Sequence, residues 1–193
     1  MSSLLLALRN PALLVLMLGH FTNDLFGGIL PLYMPVMKER FDLSNAAVGL
    51  TILAYTSLSS LSQPIFGYLS DRRGRRWYIA ATLVWSASFV AMYGFAPSFP
   101  VLLILAALAG LGSGAYHPLG ASTAAQVSEP RFRNAAMSLY TVAGSVGWGL
   151  GPVVAVALLA WLGPPGSVVL VVPGLVVAGL LYQQMGMVDR VRQ

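Results

Sequence analysis

The feature that most constrains this chain is a long stretch without charged side chains. From Ile79 to Gln126 the sequence contains no Asp, Glu, Lys or Arg. A run of 18 or more apolar residues can cross a hydrocarbon layer roughly 30 Å thick, and a small soluble core cannot bury several such runs. Only 9% of the 193 residues are charged, against about a quarter in typical soluble domains. The chain is therefore predicted to be an integral membrane protein.

Charged and loop residues divide the chain into six long apolar segments. Their length, without alternation of polar and apolar residues, favours helices over the strands of a membrane barrel. Helices also satisfy their own backbone hydrogen bonds in lipid. We expect an all-α membrane fold in which residues 1–193 form a single bundle of six transmembrane helices. The predicted spans are 11–37, 45–69, 77–95, 100–127, 134–162 and 167–187.

The placement of Lys and Arg indicates the orientation of the bundle. In a chain with six spans, one side of the membrane would hold the N-terminal Arg9, the second and fourth connections and the C-terminal tail. Each of these segments carries arginine. The opposite side has only Lys38 and Arg40. Because cytoplasmic loops are enriched in Lys and Arg, we expect a multi-pass protein of the cell (inner) membrane with both termini in the cytoplasm.

The second connection carries a glycine, an aspartate and then a basic turn, in the order Gly67-Tyr-Leu-Ser-Asp-Arg-Arg-Gly-Arg-Arg. Glycine permits a tight turn, and arginines hold a loop at an anionic membrane face. The segment resembles the cytoplasmic loop motif of the major facilitator superfamily, in the same position between helices 2 and 3. A simple positive-inside anchor is the alternative. The resemblance implies a cytoplasmic gate formed by Gly67, Asp71, Arg72, Gly74, Arg75 and Arg76.

The fifth segment contains Gly144-Ser-Val-Gly147-Trp-Gly-Leu-Gly151-Pro152. Gly147 and Gly151 have the small-xxx-small spacing that lets two membrane helices pack closely. The stretch is similar to the helix 5 motif of proton-coupled antiporters in that superfamily. Ordinary glycine-rich packing is the alternative explanation, because Gly is frequent in membrane helices.

Two further stretches resemble the fosmidomycin-resistance branch of drug efflux transporters. One is His20-Phe-Thr-Asn23-Asp24 in helix 1, and the other runs from Gly110 to Pro118 in helix 4. The resemblance covers nearly the whole chain, but only the N-terminal half of such a transporter. It implies secondary active transport by alternating access, with a small-molecule substrate and proton-coupled efflux.

Asp24 is the most informative single residue, because it lies at the midpoint of the first span. An ionisable group there is costly unless it is paired, protonated or in a water-filled cavity, and it marks a functional site by default. His20 lies one turn earlier on the same helical face. His117 in helix 4 is predicted at a similar depth, so we expect Asp24, His20 and His117 to form one proton-coupling cluster. A structural cluster that pins helix 1 to helix 4 is the alternative.

Other polar and aromatic residues are candidates for a substrate cavity. Aromatic side chains in membrane helices more often serve as packing or interfacial anchors, and a polar stripe on helix 2 either lines a pathway or bonds across helices. The sequence shows no nucleotide loop, metal-ligand spacing or nucleophile motif, so no enzyme activity, cofactor, metal or nucleic-acid partner is expected. The candidate cavity residues are Asn23, Tyr33, Tyr55, Gln63, Tyr116 and Tyr140.

Transporters of this superfamily consist of two six-helix bundles with the substrate site between them. Six helices occupy most of this chain, so it is expected to supply one bundle. Two copies in a parallel, twofold-symmetric homodimer would recreate the full architecture. The alternative is a non-transporting fragment, or a helper subunit that pairs with a different half.

Overall fold

The computed structural model of the chain describes the backbone of residues 6–73 and 77–191 and the side chains of residues 6–69 and 77–185. Within these ranges the chain folds into six long helices, with no strand. Short 3-10 segments precede or follow several of them, at Tyr93–Phe95, Pro130–Phe132 and Pro164–Leu170. The helices are α1 (Pro11–Phe41), α2 (Asn45–Arg73), α3 (Trp77–Ala91), α4 (Phe99–Val127), α5 (Arg133–Leu162) and α6 (Val171–Val191).

Local chemistry explains where these helices begin and end. Asn10 caps α1 by accepting hydrogen bonds from the backbone N–H groups of Ala12 and Leu13, a role for which Asn is well suited. The helix continues to Phe41, beyond the predicted span, and ends at Asp42 in the left-handed conformation. The last span differs more, because Pro164–Leu170 forms 3-10 turns and α6 begins only at Val171.

Membrane character follows from length, composition and surface. In the described residues five helices are long and apolar enough to cross a membrane. Helix α2 is not among them because of its serines, threonines and Gln63, yet its 29 residues span about 43 Å at 1.5 Å per residue. Large apolar side chains lie on the outside of the bundle, including Leu61, 73% exposed, and Trp161, 83% exposed. The predicted all-α membrane fold is confirmed.

The helices run alternately up and down. At one end of the bundle, the Asn10 side chain donates a hydrogen bond to the Val127 carbonyl at 2.7 Å, joining the start of α1 to the end of α4. At the other end, Arg40 donates to the Gly94 carbonyl at 3.0 Å, and the Gly94 N–H donates to Ser167 at 3.0 Å. The side carrying Arg9 is therefore also the side of the connection between α4 and α5.

Helix α1 is the centre of the bundle and packs most extensively on α5. The buried face of α5 consists of small residues and one tyrosine: Ala136, Tyr140, Gly144, Gly147, Gly151 and Ala155. A side chain at Gly147 would clash with the backbone of Phe21, and one at Gly151 with the backbone of Gly28. The two helices therefore touch through their backbones, which brings α5 directly against the titratable face of α1.

Candidate functional site

Three titratable side chains converge between α1 and α4. Asp24 Oδ2 lies 3.3 Å from His20 Nε2, and Asp24 Oδ1 lies 3.6 Å from His117 Nε2. The two imidazoles meet edge to face, with centroids 5.3 Å apart. His20 and Asp24 share a face because they are one helical turn apart, and the close α1–α4 approach adds His117 from a distant part of the chain. The structure thus brings together the three residues predicted to form the cluster.

The orientation of His20 is set by α5. Its Nδ1 lies 2.8 Å from the Tyr140 carbonyl oxygen, and its ring stacks on the Tyr140 ring at 4.2 Å with a 21° tilt. A carbonyl oxygen only accepts hydrogen bonds, so Nδ1 carries a proton and Nε2 faces Asp24. Without a further proton or cation, a nitrogen lone pair would face carboxylate oxygen across this contact. The contact is therefore attractive only when a proton or another cation is shared.

Asn23 and Ser113 extend the cluster into a polar network. Asn23 Nδ2 donates to Asp24 Oδ1 at 3.0 Å and to Ser113 Oγ at 3.1 Å. Ser113 Oγ is also 3.5 Å from Ser59 Oγ and 3.5 Å from His117 Nε2. The network therefore joins α1, α2 and α4, and it holds one carboxylate oxygen of Asp24 in place.

Gly144 on α5 provides the room for the His20–Asp24 contact. A Cβ atom at this position would lie 2.6 Å from Asp24 Oδ2 and 2.6 Å from His20 Nε2. No side chain fits there without displacing the pair. Gly144 is three residues before Gly147, so it extends the small-residue face noted in the sequence by one turn.

The cluster is shielded, but it is not sealed inside the bundle. The side chains of His20, Asp24 and His117 are 10%, 17% and 28% exposed. The partial exposure of Asp24 and His117 means that a small ion or ligand can approach them from outside the bundle.

The predicted cavity residues divide into two groups. Asn23, Tyr116 and Tyr140 contact or flank the cluster, and the Tyr116 hydroxyl donates to the Leu16 carbonyl at 3.1 Å. Tyr33 is buried elsewhere in the bundle, whereas Tyr55 is buried with its side chain against Ser113 of the network. Gln63 on α2 is partly buried. The tyrosines therefore pack inside this bundle, and their contact with a substrate stays a prediction.

The two predicted family motifs have different places in the structure. Gly67 lies where α2 meets α4, with its Cβ position 3.7 Å from Pro118. Pro152 lies inside α5, which continues through it. The packing role of Gly147 and Gly151 is direct, whereas their antiporter role stays a prediction. The remaining gate residues, Asp71, Arg72, Gly74, Arg75 and Arg76, lie outside the described side chains.

Sequence reasoning missed three contributors to the cluster. Asn23 was predicted only as a cavity residue: its bond to Asp24 lies within α1, and its bond to Ser113 depends on the α1–α4 approach, which no sequence pattern specifies. The Tyr140 carbonyl is a backbone group, so its role has no residue signature. Gly144 had a signal, because it extends the glycine pattern of α5 toward the depth of His20.

The fold and the cluster together define a helical membrane bundle with a titratable polar site in its interior. The family profile of the Major Facilitator Superfamily matches residues 16–187. This chain therefore belongs to the major facilitator superfamily, a family of membrane transporters, and it is a multi-pass membrane protein.

Curated relatives and solved structures agree with this assignment. The chain is 30% identical over 173 residues to the uncharacterized MFS-type transporter YfnC of Bacillus subtilis (strain 168), covering 89% of this chain and 42% of that protein. It is 31% identical over 143 residues to the fosmidomycin resistance protein of Escherichia coli (strain K12), covering 74% and 35%. A bacterial homolog of the human lysosomal transporter Spinster, in an inward-facing and occupied conformation, superposes with a TM-score of 0.81 at 21% identity, covering 91% and 44%. The chain therefore spans less than half the length of these relatives.

Proposed function

We propose that this bundle is one half of a secondary active transporter that exports small amphipathic or anionic compounds in exchange for protons. Asp24 exchanges the proton, and His20 and His117 tune that exchange. The observation that carries the proposal is the 3.3 Å contact between His20 Nε2 and Asp24 Oδ2. Since His20 Nδ1 already donates to the Tyr140 carbonyl, this contact needs one more proton to be attractive.

The proton has two equivalent descriptions in this geometry. Either His20 is an imidazolium beside the Asp24 carboxylate, or neutral His20 accepts a hydrogen bond from the protonated carboxyl group. Loss of the proton leaves two acceptors facing each other next to Gly144. Deprotonation would therefore loosen the contact between α1 and α5, which links proton occupancy to the packing of two helices.

Structural pinning is the second candidate role for the cluster. The bond from Asn23 to Ser113 supports it, because that bond ties α1 to α4 whatever the protonation state of Asp24. An Asp24→Asn variant distinguishes the two roles, since the amide preserves size and hydrogen bonding but cannot exchange a proton. Pinning predicts near-normal transport in that variant, and proton coupling predicts its loss.

A second bundle would complete the transporter, because the relatives are more than twice as long as the matched region. We propose a parallel homodimer in which α2 and α5 face the partner copy, and in which one bundle rocks against the other in alternating access. The exposed apolar face of α5 supports this arrangement, with Val142 57% and Val153 62% exposed. Pairing with a different half, as a helper subunit or as part of a longer chain, is the alternative.

The absence of cysteine in the sequence allows a direct test of the pairing. Val153→Cys on α5 should cross-link two copies in membranes, whereas Val176→Cys on α6, with a similar exposure of 58%, should not. Equal cross-linking at both positions, or a strict monomer that still transports, would reject the homodimer.

The names of two relatives suggest the substrate class. One is the fosmidomycin resistance protein of Escherichia coli, and another is a probable 4-methylmuconolactone transporter of Cupriavidus pinatubonensis, 34% identical over 145 residues. Both names refer to small organic compounds. We propose the same class of substrate for this chain. We also propose that the bundle lies in the cell (inner) membrane with both termini in the cytoplasm, and that the Asp71 loop is the cytoplasmic gate.

Proteoliposomes with an imposed pH gradient test the proposed function. The compound panel should include fosmidomycin and 4-methylmuconolactone. We expect gradient-dependent flux of at least one compound for the unmodified protein, and its loss in Asp24→Asn. The matched control is Asp42→Asn at the end of α1, where the residue is in the left-handed conformation, which asparagine also tolerates. Proton-driven flux that is unchanged in Asp24→Asn would reject the coupling role.

A further inference from the structure

We propose that His20, Asp24 and His117 bind a divalent transition metal ion of the Zn²⁺ type. Each side chain offers one ligand atom, and these three atoms lie within 4.8 Å of one another. Two come from one turn of α1, and the third comes from α4 across the helix contact. The result is a grouping of two imidazoles and one carboxylate.

Two of the three separations between the ligand atoms already fit a single ion. Zinc bonds to imidazole nitrogen and carboxylate oxygen are about 2.0–2.2 Å long, so two ligands of one tetrahedral ion are about 3.3–3.5 Å apart. The contacts from Asp24 to His20 and His117 measure 3.3 Å and 3.6 Å. An ion bound here would require shifts of only a few tenths of an ångström along these two contacts. The widest separation among the three ligand atoms is 4.8 Å, so the ligands would also have to close by about 1.4 Å along that edge to reach tetrahedral spacing.

The surroundings orient the ligands as they do in known metal sites. A metal-binding histidine almost always donates its other ring N–H to a carbonyl or carboxylate, and His20 Nδ1 makes this bond to the Tyr140 carbonyl at 2.8 Å. Its Nε2 is then the nitrogen available to a metal. Asn23 Nδ2 donates to Asp24 Oδ1 at 3.0 Å, which orients the carboxylate in the same way.

The site is also accessible from one side. Gly144 makes the space that the His20–Asp24 pair occupies, since a Cβ there would lie 2.6 Å from Asp24 Oδ2 and from His20 Nε2. The Asp24 and His117 side chains are 17% and 28% exposed. Three protein ligands with one accessible side match sites in which water or an oxygen ligand takes the fourth position.

The donor set selects the class of metal. Imidazole nitrogen suits Zn²⁺, Fe²⁺, Co²⁺ and Ni²⁺, whereas Mg²⁺ and Ca²⁺ prefer oxygen ligands. The sequence has two histidines and no cysteine. Both histidines are in this cluster, so every imidazole ligand of the chain must come from it.

The metal site and the proposed proton exchange depend on the same three side chains and on the same contact between His20 Nε2 and Asp24 Oδ2. A bound metal ion and a shared proton would occupy the same gap between His20 Nε2 and Asp24 Oδ2. The two roles therefore exclude each other at any moment, and metal binding can be measured without any transport.

Metal titration of the purified protein, stripped with a chelator and carrying no polyhistidine tag, tests the site. Zn²⁺ binding is measured by competition with a chromophoric chelator, and Co²⁺ binding by its visible absorption, which is far stronger for a tetrahedral than for an octahedral ion. We expect one ion per chain and a tetrahedral Co²⁺ spectrum. His117→Gln and Asp24→Asn should each weaken binding at least about 100-fold, because even the loss of an outer-shell partner costs about 10–100-fold.

Glu129→Gln is the matched control, because Glu129 is an exposed acidic residue paired with Arg131 outside the cluster. It should bind Zn²⁺ like the unmodified protein. Gel filtration shows which ligand variants fold, and either one alone is sufficient for the test. Stoichiometric binding that a folded ligand variant retains, or an octahedral Co²⁺ spectrum unaffected by His117→Gln, would overturn the metal site. Metal binding without proton-driven flux would support the metal site and reject the proposed proton coupling.

Discussion

Gly147→Ala tests the close contact that places α5 against the cluster. In the structure a Cβ at Gly147 would clash with the Phe21 carbonyl oxygen and lie 2.8 Å from its carbonyl carbon. These are backbone atoms, so no side chain can rotate to make room. The two helices must separate by roughly 1 Å to restore ordinary van der Waals contact, and such a gap already removes a quarter to a half of the dispersion energy of each atom pair it opens.

The expected destabilisation follows from this geometry. Overpacking of a core costs about 1–3 kcal/mol, and the extensive α1–α5 contact places Gly147→Ala in the upper part of that range. At about 2–4 °C per kcal/mol for a chain of this size, the unfolding midpoint should fall by about 4–12 °C. Gly149→Ala is the matched control, because nothing lies within 4 Å of its Cβ position.

The assay is unfolding of the purified variants in mild detergent micelles, followed by circular dichroism. Gly149→Ala should be neutral or slightly stabilising, since alanine is the better helix former by about 1 kcal/mol. Equal midpoints for Gly147→Ala and Gly149→Ala would refute the backbone contact between α1 and α5.

Three further outcomes are expected. Ser167→Ala removes a buried hydroxyl that accepts from Gly94 N–H and donates to the Ala91 carbonyl at 2.7 Å, so the free energy of unfolding should fall by about 1–3 kcal/mol. Ser60→Ala, at an exposed position, should leave it unchanged, and equal unfolding midpoints for the two variants would contradict this prediction. Gly144→Ala should reduce gradient-driven flux more than Gly149→Ala does at equal amounts of folded protein. Equal flux in the two variants would mean that Gly144 is not needed for the proposed site to work. A reporter fused to the C-terminus should be active in the cytoplasm. Activity in the periplasm would contradict the predicted orientation of the bundle.

The sequence predicted the helices well because their limits are set locally. Proline after Asn10 begins α1, and proline and glycine near residue 163 end α5. The ends that differ depend on details that composition does not show. Hydrophobicity does not distinguish 3-10 turns from an α-helix, so the late start of α6 at Val171 could not be predicted.

The cluster itself was only partly predictable. Asp24 and His20 follow from helical spacing, and His117 followed from the expected depth of antiparallel helices. The Tyr140 carbonyl that orients His20 depends on the tertiary approach of α5. The Asn23 amide that orients Asp24 lies on α1 itself, but its second bond, to Ser113, depends on the approach of α4. These contacts decide which atoms face each other, so the proposed proton sharing and the proposed metal site could not be predicted in detail from the sequence.

The central claim is that Asp24 exchanges its proton against substrate. The most direct measurement is proton release from the purified protein in weakly buffered detergent solution when a transported compound is added. The account predicts about one proton released per chain for the unmodified protein, and none for Asp24→Asn under the same compound. Equal release from both proteins would place the exchanging proton elsewhere and contradict the account.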